Sequence, residues 1–350
     1  MTTPPPIDPS INPGLEPALN RPGEPGGNQP MPAGSTAGST IVARGPVALA
    51  FARIRRDRVA VVSFTVIVII VLVAVLAPVI AAITGHPPDT QYRDTGLTAA
   101  GLPVAPNGEF WLGTDKLGRD VLVRLAYGSR ISLIVGVLAS LCAVAIGVMI
   151  GAVSGFFRGR VDIALTWVID LVLSVPFLLF AISLVSLVGP SLRISVIVIA
   201  CFTWGPIARV VRGQVLSLRE REFIEAARSL GASKLRILRK DVLPNLLAPI
   251  IVYTTLLIPS AIVFEATLSF LGLGVVPPTA TWGNMLADVS NDALYTVAWW
   301  MVVFPSAALL ITTLTFNLFG DSVRDALDPR ASRRRPGGRK SLAGSRGRNR

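Results

Sequence analysis

Two acids lie inside apolar runs, Asp170 and Glu265. A carboxylate surrounded by lipid is costly, so each is expected to face a cavity or a partner. Two readings stand for them: a pathway role, attracting a cationic group that moves through the protein, or hydrogen bonding between helices. Catalytic chemistry finds no support. The chain has no HExxH, no GxSxG and no nucleophile placed beside a base. No GxxxxGK[ST] phosphate loop occurs, so nucleotide binding is not expected. His86 is the only histidine, and Cys142 and Cys201 sit in apolar stretches without a CxxC. A zinc site needs about four N or S ligands, so neither a metal nor another cofactor is expected.

Two charged segments carry more pattern. In Ser217–Gly231, Ser217 and Glu220 have the spacing of a capping box, which predicts a helix starting there. Phe223, Ala226, Ala227 and Leu230 fall on one helical face. Gly231 suits a left-handed stop, and a short amphipathic stretch, Leu235 to Leu238, precedes Leu243-Pro244-Asn245. Two short helices about a glycine would form a knob whose small residues admit a close partner. An interfacial amphipathic helix fits equally well. In the second segment, Gly113, Gly118 and Gly128 permit tight turns, and Asp115, Arg119, Asp120 and Arg124 are placed to pair with one another. It is either a docking platform or an elbow that positions the helix after it.

The elements that must hold these residues are membrane spans. The chain is 51% hydrophobic and 15% charged, where a soluble domain carries about a quarter charged residues. Six apolar segments run approximately 59–83, 131–153, 162–188, 192–212, 246–268 and 294–319. Each approaches or exceeds the roughly 20 residues that cross the hydrocarbon core as a helix, the form that satisfies backbone groups in lipid. The expected fold is all-α and polytopic, with six transmembrane helices. Pro176, Pro206, Pro259 and Pro305 fall inside spans three to six and predict kinks. Asp162 is expected to cap span three, and Trp282, Trp299 and Trp300 to sit at the outer interface. The first apolar run lies too deep for a cleaved signal peptide and reads as a retained span.

With the N-terminus inside, residues 44–58, 154–161, 209–243 and 324–350 hold 26 Lys and Arg, against six on outer segments. That excess predicts both termini in the cytoplasm. The net charge of +12 is therefore a matter of topology. No basic stretch is interleaved with aromatics, and nucleic acid is not an expected partner. Four regions follow. Residues 1–43 are a Pro/Gly-rich tail expected to be disordered, and 44–110 hold the first span and an outer loop. Residues 111–328 form the transmembrane core with its loop 217–244. Residues 329–350 are a basic tail suited to anionic lipid.

Three motifs in order then resemble a known family. Glu225-Ala226-Ala227, Gly231 and Leu243-Pro244 look like the EAA signature of ABC importer permeases, with a departure at Asp241. Trp111-Leu112-Gly113-Thr114-Asp115-Lys116-Leu117-Gly118-Arg119-Asp120, continuing to Arg124, Tyr127-Gly128 and Arg130, resembles the segment before span two in C subunits of dipeptide and oligopeptide permeases. Ser269-Phe270-Leu271-Gly272-Leu273-Gly274, then Pro277-Pro278 and Trp282-Gly283, resembles their segment after span five. The resemblance covers roughly residues 45–330. It implies the type I ABC importer permease fold in a bacterial cytoplasmic membrane. It also implies that Glu225, Ala226, Ala227, Gly231, Leu243 and Pro244 couple to one or two separate ATPase subunits. A second permease subunit would complete the pathway, and an extracytoplasmic binding protein would deliver peptide. Nickel or another small solute remains an alternative cargo, and an ATP-independent channel or secondary transporter an alternative class.

Overall fold

The computed structural model describes residues 52–291 and 294–327. Both expected tails, 1–43 and 329–350, lie outside the described residues. The described residues are mostly helical, apart from long loops such as 85–120, and among them two isolated β-bridges stand in place of a sheet. In chain order the helices are α1 (Arg58–Val75), α2 (Ala77–Thr84), α3 (Val121–Phe157), α4 (Gly159–Ser174), α5 (Phe177–Val188), α6 (Leu192–Arg219), α7 (Glu222–Ser229), α8 (Lys234–Ile237), α9 (Leu247–Phe270), α10 (Trp282–Asn291) and α11 (Trp300–Leu327). Five of them, α1, α3, α6, α9 and α11, are long and apolar enough to cross a membrane alone. The pair α4–α5 passes only together and is bent by 86°.

That bend corrects the expectation of a kinked third span. Pro176 follows Val175, whose ψ of 125° is extended, as the residue before a proline prefers. The helix ends there instead of kinking. Pro206, Pro259 and Pro305 lie within continuous helices. The first span also divides, at Leu76, with Pro78 in the first turn of α2. The second begins ten residues earlier than hydropathy indicated, because the Asp120 carboxylate accepts the backbone N–H groups of Leu122 (2.8 Å) and Val123 (3.3 Å) and caps α3. The last starts later, at Trp300.

The frame is the seam between α3 and α6. Gly147, Gly151 and Gly155 form a stripe at four-residue spacing along α3. A methyl group at Gly147 or Gly155 would sit 2.8 Å from the carbonyl oxygen of Trp204 or Arg212, and one at Gly151 would strike that of Ala208. Small residues let membrane helices meet backbone to backbone, where packing is the main source of association. Phe156, Ile169, Trp204, Val211 and Val215 fill the core at one end of this seam. At the other end Val121, Met285, Val289, Trp300 and Met301 close a second core beneath a cap formed by residues 85–120 and α10.

Candidate functional site

The knob lies at the end of α6. That helix runs through Ser217 to Arg219, so the predicted capping box does not start a helix. The break comes at Glu220–Arg221, and α7 begins at Glu222 without a side-chain cap. Arg219 donates from Nη1 to the carbonyl of Phe156 (2.7 Å), pinning α6 to the end of α3. The predicted apolar face is also off by a position. Ile224 is fully buried, whereas Phe223 is exposed and Leu230 is 88% exposed. Ile224, Ile237, Leu238, Val242 and Leu246 join the core that holds Val211 and Val215. The knob is thereby bolted to the bundle through one apolar face.

What it presents outward is Glu225, Ala226, Leu230 and Gly231, all exposed, with Ala227 half-buried. Gly231 has φ +79°. Its N–H donates to the Arg228 carbonyl (3.0 Å), and the Ala232 N–H donates to the Ala227 carbonyl (3.1 Å). These two bonds are a Schellman motif, the stop that a left-handed glycine provides. Five residues of π-helix, Leu238–Val242, carry the chain from α8 to the helical turn Leu243–Asn245. Leu243 is half-buried and Pro244 exposed there. A cleft of about 240 Å³ opens between Ala227, Gly231, Arg236 and Asp241.

At the opposite end, the segment 113–120 folds inward. Thr114, Asp115, Arg119 and Asp120 are buried. The Asp115 carboxylate accepts from Arg119 Nε (2.6 Å) and from the N–H groups of Leu117 and Arg119, and Arg124 Nε lies 3.3 Å away. Lys116 and Arg119 also reach Asp288 on α10. Asp120 takes a different partner from the expected arginines: besides capping α3, it meets His86 Nδ1 at 2.8 Å. His86 is stacked on Phe110. Thr114 donates from Oγ1 to the Gly96 carbonyl (2.6 Å). Gly113 and Gly118 have φ near +75° to +78°, and a methyl group on either would meet Trp300 or the Tyr92 carbonyl at 2.6 Å. Gly128, in contrast, is helical and lies against Trp282. Trp282 and Trp300 are buried in this cap, donating to the carbonyls of Leu125 and Thr114. Only Trp299 of the three is exposed as an interfacial ring would be.

The two membrane-embedded acids part company. Glu265 is fully buried and accepts from Ser132 and Ser269 (both 2.7 Å), with Thr281 as a further hydroxyl partner. It ties α9 to α3 and to the loop before α10. Asp170 instead meets Arg209 Nη2 at 2.6 Å, with both side chains more than half exposed. Eight residues before it, Asp162 does not cap its helix. It lies in the first turn of α4 and accepts a bidentate pair of bonds from Arg212 (2.6 and 2.8 Å) and one from Ser154 (2.6 Å). A cavity of about 450 Å³, lined mainly by apolar side chains of α4, α5, α6 and α9, includes Leu173, Pro206, Val210 and Phe264 but not Glu265. Arg209 and Arg212 enter the sequence reading only as inner-side positive charges at the end of span four, because their partners Asp170 and Asp162 lie 39 and 50 residues away, beyond any local spacing.

An all-α chain with membrane-length helices, a tied cap at one end and an anchored knob at the other is a polytopic integral membrane protein. A family model described as a binding-protein-dependent transport system inner membrane component matches residues 147–333. A second, described as the N-terminal TM domain of oligopeptide transport permease C, matches residues 45–100. The dipeptide transport system permease protein DppC of Bacillus subtilis (strain 168) is 39% identical over 81% of this chain and 86% of its own length. The oligopeptide transport system permease protein OppC of Haemophilus influenzae is 38% identical over 79% and 86%. Among solved structures, the inward-facing MetNI methionine ABC transporter is similar over 59% of this chain and 96% of that chain, at 19% identity and a TM-score of 0.49. The chain belongs to the family of binding-protein-dependent transport system inner membrane components.

Proposed function

We propose that this chain is one of two permease subunits of an ATP-driven ABC importer for dipeptides or oligopeptides. It works in a bacterial cytoplasmic membrane with both termini inside. Names and identities of the relatives support the peptide class. ATP hydrolysis belongs to one or two separate ATPase subunits, since this chain carries no phosphate loop. An extracytoplasmic binding protein delivers the peptide, and a second permease subunit completes the pathway.

One observation carries the mechanism: the knob is anchored by Ile224, Ile237 and Val242 while Glu225, Ala226, Leu230 and Gly231 face outward. A handle of this kind transmits force in both directions. Its buried face moves with α6 and α9, and its exposed face is free to be gripped by an ATPase. Nucleotide shifts the access equilibrium only through differential affinity for two states, so the grip must hold through the cycle. Leu243 and Pro244 turn the chain from the handle into α9. The Gly113–Asp120 segment serves as the elbow that fixes the opposite end of α3. Its buried side chains fit that role better than a docking face. Glu265 serves the same framework.

The test is ATP-dependent dipeptide uptake by the reconstituted transporter. Glu225→Lys is expected to leave membrane insertion intact and abolish uptake or ATPase assembly. Normal uptake by that variant overturns the coupling role.

A further inference from the structure

We propose that Asp170 and Arg209 form a dipolar station for the two charged ends of a peptide main chain. Asp170 takes the ammonium group and Arg209 the carboxylate. The inference rests on the peptide-importer reading above and assigns a binding role to a residue pair inside the membrane.

Depth is the first argument. α6 spans 28 residues, about 42 Å at 1.5 Å per residue, and so outruns the roughly 30 Å hydrocarbon core. Counted from Leu192 as the outer boundary, Arg209 lies about 25 Å along it, toward the inner edge of that core. A charged pair facing lipid is disfavoured there, and ionisable residues within spans line water-filled cavities or pathways. Yet 60% of the Arg209 side chain and 55% of that of Asp170 are exposed.

Position is the second. Leu173 stands three residues after Asp170 on α4, and Pro206 three residues before Arg209 on α6. Side chains three apart share a helical face, and both these neighbours line the 450 Å³ cavity. That volume lies within the range of about 300–1,000 Å³ typical of small-molecule pockets. The cavity offers apolar walls for side chains, including Phe177, Phe202 and Tyr253, but no charge of its own. Asp170 and Arg209 do not line it themselves, but they stand one helical turn from two residues that do, and the pair supplies one charge of each sign.

Contrast with the neighbouring pair is the third. Asp162 and Arg212 join the same two helices through two bonds, reinforced by Ser154 and Thr166, and are largely buried. That pair is built as a clamp. Asp170 and Arg209 share a single hydrogen bond and are each more than half exposed, which makes the contact cheap to open wherever water reaches it. A zwitterion can replace each partner of a weak pair with its own opposite charge. A bridge meant only to hold α4 against α6 would resemble the lower rung.

The whole transporter in proteoliposomes tests this, with uptake of dialanine, N-acetyl-dialanine and dialanine amide. Each variant is compared with the unsubstituted transporter on the same peptide, so that the binding protein's preference cancels. Arg209→Gln should raise the half-saturation concentration for dialanine at least tenfold and that for the amide less than twofold. Asp170→Asn should spare the N-acetyl peptide and impair the free one. Equal losses on all three peptides, or no loss, would make the pair an interhelix bridge and overturn the inference. A second measurement does not depend on capped peptides. With Cys142 and Cys201 replaced by Ser, Leu173→Cys beside the intact pair should react with a water-soluble methanethiosulfonate and be protected by dialanine. No reaction, or reaction that dialanine does not slow, places the pair against lipid or the second permease subunit and overturns the proposal. If the unsubstituted transporter takes up no peptide, the peptide reading itself fails, and the station with it.

Discussion

Gly231 gives the sharpest separation of folding from coupling. Its φ of +79° lies in the left-handed region, and a Cβ added there would meet no atom within 4 Å. Substitution therefore costs backbone strain alone, about 1–2 kcal/mol for an L-residue and more for a β-branched one. Against a total stability of about 5–15 kcal/mol the chain still folds and inserts. The same energy shifts the knob's own equilibrium by a factor of about 5–30 away from the Schellman stop. Asn tolerates this conformation best after Gly. Uptake should therefore fall in the order Gly, Asn, Ala, Val at position 231, while membrane yield stays nearly constant and the thermal midpoint in detergent falls by only a few degrees. ATP-dependent dipeptide uptake, normalised to inserted protein, reads the series. Uptake by Gly231→Val equal to that of the unsubstituted chain would refute the reasoning. So would Gly231→Asn failing as badly as Val, since the backbone conformation would then not be the cause.

Other expectations concern the frame. Gly151→Ala pushes a methyl group onto the Ala208 carbonyl and should cost about 1–3 kcal/mol, as overpacking does. A lowered thermal midpoint of the purified subunit in detergent checks it. Asp115→Ala strips the carboxylate from two guanidiniums that are each at most 5% exposed. Breaking a buried pair costs about 3–5 kcal/mol, so the variant should lose most of its folded yield. Glu265→Gln keeps an acceptor and gains a donor for hydroxyls that rotate, and uptake should stay within about twofold. Glu265→Leu leaves the Ser132 and Ser269 hydroxyls without that partner and should cost about 1–3 kcal/mol for each one orphaned, read as the same midpoint.

The spans were legible because lipid imposes one requirement, apolar length with internal hydrogen bonding, and Val121–Phe157 or Leu247–Phe270 meet it without reference to the rest of the chain. Their ends were not. A hydropathy run does not record that Pro176 turns the chain by 86° or that Asp120 starts α3 well before the apolar stretch. The knob was legible through Gly231, whose conformation is a local property. Its buried face was misread because Ile224 and Phe223 are both apolar, and only the position of α6 decides which one points inward. The caps predicted at Ser217 and Asp162 failed for a related reason: α6 continued on tertiary support, and Arg212 claimed the carboxylate. The pairs Asp170–Arg209 and His86–Asp120 span 39 and 34 residues of sequence. No local spacing rule reaches that far. A tryptophan in an apolar context reads as interfacial whether it faces headgroups or, like Trp300, donates to a buried carbonyl.

If an ATPase grips the knob at Glu222–Gly231 on the cytoplasmic side, as proposed, Ala226→Cys in a chain with Cys142 and Cys201 replaced by Ser will trap the contact in intact cells expressing the whole transporter. A disulfide or short-linker cross-link to the ATPase subunit is expected, with no labelling by a membrane-impermeant thiol reagent added outside. Labelling from outside, or cross-linking to every neighbour except the ATPase, would contradict it.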